Sequence, residues 1–178
     1  MRSNNVVGYI TEGFPGVMTF LEREISGLIQ HGWEVSVFAL HEETPVPYAS
    51  ELDQSLVDTH YCLNRHLLSL KMLQSHLHIL IKRPKVYIQS VIFLFRTYGT
   101  SWYSLSRAIY AFMKAGYFYT NAKSLGVDHL HAHFAGRTVD VAIFLSQFLN
   151  VGFSFTGHSN DVTGNYPLLQ DKINLASF

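Results

Sequence analysis

The sequence predicts an α/β fold: a Rossmann-like, doubly wound parallel sheet in a single domain, with a basic helical insertion over about 63–123. Three observations lead there. The chain opens as strand, glycine-bearing loop, helix, strand. Strand–helix–strand alternation resumes after residue 127. The stretch between carries its apolar residues at helical spacing.

"NVVGYI" reads as a buried first strand leading into the loop "TEGFPG", and "VMTFLEREISGLIQHG" follows as a helix. Phe20, Ile25, Leu28 and Ile29 mark its apolar side, and Gly32 stops it. "EVSVFAL" is the second strand, so the unit is βαβ, with parallel strands and a right-handed crossover. "LVDTHYCL" holds a short third strand. In the insertion, Leu63, Leu67, Leu70, Leu73, Leu77 and Leu80 share one helix face until Pro84 breaks it. "KVYIQSVIFLFR" and "SWYSLSRAIYAFMKAGYFYTNAK" are further helices. On the latter, Trp102, Leu105, Ile109 and Phe112 form one stripe, and Arg107, Tyr110, Lys114 and Tyr117 a second on the far side. "DHLHAHF" is a strand, "RTVDVAIFLSQFLN" a helix, "VGFSFTG" a fifth strand and "LLQDKINLA" a helical piece.

Composition narrows the class. With 178 residues, nearly half of them hydrophobic, the chain can bury a core and is not a disordered type. A lone cysteine, Cys62, allows no internal disulfide and fits a reducing, cytoplasmic compartment. The polar start after Met1 shows no secretory signal, and no apolar run approaches the roughly 20 residues of a membrane span. Net charge is zero, yet Arg65 to Lys123 holds nine basic residues and no acid.

In open parallel sheets ligands bind beyond the carboxyl ends of the strands, where strand order reverses. Three loops are expected at that edge: Thr11 to Val17, His133 to Arg137, and Thr156 to Asp161. Gly13 and Gly16 open onto a helix N-terminus that suits an anion, although they also suit a plain turn. Their spacing is not that of a dinucleotide fingerprint. Strand alternation sets His129, His131 and His133 on one face, with His133 nearest the rim and His131 held in the core by hydrogen bonds. His158 and Asp161 form either an Asx-type turn or a hydroxyl-binding loop. "HAH" completed by His158 and Asp161 would make a metal site, the expectation of a metal-dependent hydrolase.

Three stretches together resemble the family-four glycosyltransferases of the GT-B fold, particularly bacterial exopolysaccharide and lipopolysaccharide enzymes. They are "FPGVMTFLEREISGLIQHGWEVSVFAL", "HLHAHFAGRTVDVAIFLSQFLNVGFSFTGHSND" and "LLQDKINLASF". The resemblance implies retaining transfer of a sugar from a nucleotide-sugar donor to a glycan or lipid-linked acceptor. The donor is a substrate, and no cofactor or metal is implied. It assigns His133 to the reaction centre, and Gly13, Gly16, Thr19, His158 and Asp161 to substrate binding. Val17 and Met18 stand where relatives carry a Ser-Glu pair. The resemblance further implies a donor-binding domain with an E-x(7)-E motif, which these 178 residues lack. The chain is therefore expected to be the acceptor-side half, with little transferase activity by itself.

The second expectation is a non-catalytic α/β module that binds a glycan or a partner subunit. The acid-free insertion implies an anionic membrane surface as partner, met through Arg107, Tyr110, Lys114 and Tyr117 on the inner face of the cell membrane. Nucleic acid is not expected, for want of a recognised module. The sugar-transfer reading requires the turns at 16 and 158 to meet at one rim and His133 to be reachable there.

Overall fold

The two longest strands form where β-branched and aromatic residues run together. In a computed structural model, which describes residues 5–15, 19–43, 52–159, 161 and 168–177, the strands are Val6–Phe14 (β1), Glu34–Glu42 (β2), Asp58–Tyr61 (β3), His129–His133 (β4) and Gly152–Thr156 (β5). All are parallel, in the order β3-β2-β1-β4-β5. This is the predicted five-stranded open sheet. β1 and β2 are buried almost throughout, as expected of strands covered on both faces. Gly8, mid-strand in β1, leaves room for Leu130 and Phe38, whose carbons would stand about 3 Å from a Cβ there.

Among the described residues, six α-helices flank the sheet: Thr19–Gln30 (α1), Leu70–Lys82 (α2), Pro84–Tyr98 (α3), Trp102–Leu125 (α4), Arg137–Leu149 (α5) and Leu169–Leu175 (α6). α1 connects β1 to β2, and α5 connects β4 to β5 in the opposite direction along the sheet. Right-handed crossovers therefore put them on opposite faces. On one face, Leu21 and Ile25 of α1 pack with Val7, Tyr9, Val35 and Val37. On the other, α4 and α5 carry the larger core, in which Phe112 meets Phe144 and Phe148 edge-on at 5.4 Å. Such pairs contribute about 0.5–1.5 kcal/mol beyond area burial.

The insertion is helical, as the leucine spacing predicts, but its last helix is core rather than appendage. α4 buries Ala108, Ala111, Ala115 and Ala122, small residues that let it lie close to its neighbours. Gly116 lets α2 approach: a Cβ there would collide with the His76 ring, whose Nε2 reaches Met113 O at 3.2 Å.

Both predicted stripes on α4 need correction. The apolar stripe is not one buried face: Trp102 and Ile109 are exposed, whereas Phe112 is buried. Of the four residues expected to face a membrane, Lys114 is fully buried, with its ammonium donating to the carbonyls of Leu40 and Cys62. The Tyr110 ring lies 4.6 Å from that ammonium. Tyr117 is buried, Tyr110 donates to Asn64, and Arg107 pairs with Asp140. A long alkyl stem packs in an apolar layer once its charged head is hydrogen-bonded, so the basic stripe turns inward.

A second buried charge ties the periphery together. Lys172 of α6 places Nζ 2.8 Å from Asp140 Oδ1, 2.8 Å from Ala135 O and 3.2 Å from Gly136 O, which uses all three of its protons. Asp140, in the first turn of α5, also accepts from Tyr98 Oη at 2.9 Å and from Arg107 Nη2 at 3.4 Å. One carboxylate thus joins α3, α4, α5 and α6. Removing one partner of a buried pair leaves the other charge uncompensated. Asp140→Ala should therefore lower unfolding stability in urea by about 3 kcal/mol, against about 1 kcal/mol for an average substitution.

Candidate functional site

The reversal of strand order falls between β1 and β4, and the chemically interesting side chains gather at its carboxyl edge. β4 presents His129, His131 and His133 on the expected face, because successive side chains of a strand alternate. β5 runs beside it with His133 in register with Thr156, so the residues just after Thr156 emerge next to His133. The first turn of α1 closes the third side: the Phe20 ring centre is 5.4 Å from that of His133 and 5.1 Å from that of His158.

The depth order of the histidines differs from expectation. His133, expected at the open rim, is 1% exposed beneath Phe20 and His158. It does not face solvent, so the requirement that it be reachable is not met in this structure; of the rings over it, Phe20 is 40% exposed. His131 is held as expected, with Nδ1 2.9 Å from Ser154 Oγ and Nε2 3.2 Å from Thr156 Oγ1. His129 shares the same serine at 2.8 Å.

Behind His133 stands Glu24, one helical turn after Phe20. Its Oε2 lies 3.3 Å from His133 Nε2, an ion-pair distance without the alignment of a hydrogen bond, and its Oε1 accepts from Tyr9 Oη at 2.6 Å. The contact with His133 first, then the Tyr9 hydroxyl, holds the Glu24 carboxyl down at about 2. On the other side, His133 Nδ1 is 3.4 Å from His158 Nε2. Carboxylate, buried imidazole and rim imidazole stand in line. This is the order in which an acid orients one base that orients a second.

Asp161 sets the far end. It is buried, its Oδ2 accepts from the His158 backbone N at 2.8 Å, and its backbone N donates back to His158 O at 2.8 Å. Through Oδ2 it holds the His158 backbone in a capping-box contact, the side chain of one residue reaching back to the N–H three positions earlier, rather than in the Asx-type turn the sequence offers; its other oxygen, Oδ1, is buried without a partner among the described residues. The β4–α5 connection is strained: Phe134 has φ +69°, rare for a bulky residue. It is held by its backbone N donating to Thr156 O at 2.9 Å, and by Thr138 Oγ1, whose proton is shared between the carbonyls of His133 (2.6 Å) and Phe134 (2.8 Å). The Phe134 ring lies 4.3 Å from that of His158.

The glycine loop is only partly at this rim. Gly13, expected in a loop, continues β1 and pairs with His41 of β2, and the Glu43 side chain occupies the space a Cβ would take. Gly16 lies outside the described residues. Thr19 is the first residue of α1. At the same edge Glu12 receives both Nε (3.2 Å) and Nη2 (3.1 Å) of Arg137, clamping β1 to the start of α5. Sequence reasoning missed Glu24 and Tyr9. The signal was present for Glu24: residues four apart share a helix face, so a helix that turns Phe20 toward the β4 rim turns Glu24 there too.

Protonation of the inner histidine couples the site to stability. Burial, then the neighbouring His133, holds the His131 imidazole at about 4, against an ordinary value near 6.5 in an unfolded chain. Between these values the unfolded chain binds more protons, so the stabilisation is complete above about pH 6.5 and is lost as pH falls toward 4. This group should contribute a loss of about 3 kcal/mol to urea unfolding stability across that window, and His131→Asn should remove that share of the pH dependence.

No protein-family model matches this sequence, and no curated protein matches it. Fold and geometry are therefore what bear on function.

Proposed function

We propose that this chain is the acceptor-side, Rossmann-like half of a sugar-transferring enzyme, in which a nucleotide-sugar donor and a glycan or lipid-linked acceptor meet at the β1/β4 rim. The observation that carries the reading is the convergence of Phe20, His133 and His158 at the strand-order reversal, the usual ligand position of such sheets. A half-exposed aromatic ring beside two imidazoles suits a sugar, whose C–H face packs on the ring while its hydroxyls take hydrogen bonds. His158 is the group that touches the sugar. His133, assigned to the reaction centre by the resemblance, becomes the buried partner that stands between His158 and Glu24 and fixes the His158 ring. It reaches the ligand directly only when Phe20 swings away. Stabilising a departing nucleotide diphosphate and excluding water both require a closed cleft, so turnover by the rim alone should be low.

A divalent cation is a second reading, favoured by one grouping: donor atoms of Glu24, His131 and His133 all lie within 4.8 Å of one another. This set replaces the predicted one, since Asp161 is turned to the His158 backbone. Two imidazoles and a carboxylate suit zinc. Ligation through His131 Nε2 would cost its bond to Thr156, and ligation through Glu24 Oε1 its bond to Tyr9.

Titration with uridine- and guanosine-diphosphate sugars and with oligosaccharides, followed by amide NMR, tests the sugar reading. Phe20, Phe134 and His158 should shift, and Phe20→Ala or His158→Ala should weaken binding at least tenfold without changing the melting temperature. Absence of shifts at these residues with every ligand contradicts the proposal. Binding of oligosaccharides but of no nucleotide sugar would favour a glycan-binding module instead. One zinc per chain in protein purified without chelator would favour the cation, and the sugar reading expects none.

A further inference from the structure

The apolar surface of this molecule is unevenly placed. Among the described residues, twelve of the sixteen exposed large hydrophobic side chains fall between Leu68 and Ile109. Scattered exposed apolar residues are ordinary, whereas a concentration on one element group marks an interaction surface.

The pattern is helical. α2 packs inward through Met72, His76 and Ile79 and turns Leu70, Leu73, Leu77 and Leu80 to solvent. The leucine stripe read from the sequence is thus the outward face. α3 packs inward through Ser90, Leu94 and Tyr98 and exposes Ile88, Ile92 and Phe95, again at steps of four and three. Both helices lie on α4, and each carries its stripe on the side turned away from it. Trp102, 79% exposed at the start of α4, follows directly from α3. A helix apolar on two sides needs a second apolar environment.

Charge says which. Lys82, Lys85 and Arg96 are exposed and make no hydrogen bond or ion pair among the described residues. No acid lies anywhere from Arg65 to Lys123 to offset them. A second copy docked through the same face would set basic residues against basic residues. We infer that the outward stripes of α2 and α3, with Trp102, form a monotopic docking surface for an anionic lipid bilayer, the leucine, isoleucine and phenylalanine side chains entering the acyl boundary and Lys82, Lys85 and Arg96 meeting the headgroups. Tryptophan at the edge suits the interfacial layer. No helix among the described residues is long and apolar enough to cross a membrane, so the contact lies in the plane of the surface. The surface shares no residue with the rim of Phe20 and His158, and it stands whether or not that rim binds sugar.

Co-sedimentation of the full chain with phosphatidylcholine vesicles, with and without about one-third phosphatidylglycerol, tests it. Binding should require the anionic lipid and weaken as salt rises. Lys82→Gln/Lys85→Gln/Arg96→Gln should weaken it on the order of a hundredfold. Ile88→Ser/Ile92→Ser/Phe95→Ser, at exposed positions, should weaken it at least tenfold with an unchanged melting temperature. No binding to anionic vesicles, equal binding to both compositions, or binding indifferent to both triple variants would overturn the inference. So would concentration-dependent self-association abolished by the serine variant without any vesicle binding, which would give the face to a second copy.

Discussion

The parting of the chain between β1 and β4 is the constraint on which the other features depend. With β2 and β3 built out to one side and β4 and β5 to the other, α1 and α5 must lie on opposite faces, and the helices that follow β1 and β4 diverge from the carboxyl edge between these strands. To that edge the sequence delivers an aromatic ring from α1, an imidazole from the end of β4 and another from beyond β5. The strained Phe134 follows from the same requirement. The chain must turn sharply out of β4 into α5 there, and Thr138 and the β5 ladder hold it in place. Strain that is held from several sides is a feature of sites rather than of idle loops.

Buried charge is the second theme. Lys114 and Lys172 both lie within the fold, one answered by strand-end carbonyls, the other by Asp140 and the carbonyls before α5. Burial brings the Lys114 amine down to about 8. Each lysine ties separate elements together: Lys114 joins α4 to β2 and to the residue after β3, and Lys172 docks α6. The basic character of the insertion is therefore divided. Part of it is structural and inward, and part, on α2 and α3, is left on the outside.

The fold was legible because it rests on local periodicity. The first two buried strands read as β-branched runs, α1 and α5 as helical patterns between strands, and Gly32 and Pro84 marked where helices stop or break. The nearness of His133 and His158 was legible too, since neighbouring parallel strands end at one edge. What could not be read was depth and facing. Whether His133 meets water depends on where the Phe20 ring lies, a tertiary fact. Gly13 looked like loop because glycine usually marks a turn, yet pairing with β2 carries β1 through it. α4 is apolar on several sides, and small alanines rather than the large Trp102 and Ile109 chose its packing face, because close approach to α5 favours small side chains. Glu24 escaped notice because a carboxylate on a helix reads as solvated until its neighbour across the sheet is known.

Carbethoxylation of histidines by diethylpyrocarbonate, mapped by mass spectrometry, tests the arrangement at the rim most directly. The account predicts that His158 reacts and His133 does not, that Phe20→Ala makes His133 reactive, and that the sugar ligand binding most tightly protects His158 in the native chain and both residues in the variant. Rapid modification of His133 in the native chain, or no protection of His158 by any sugar ligand at saturation, would contradict it.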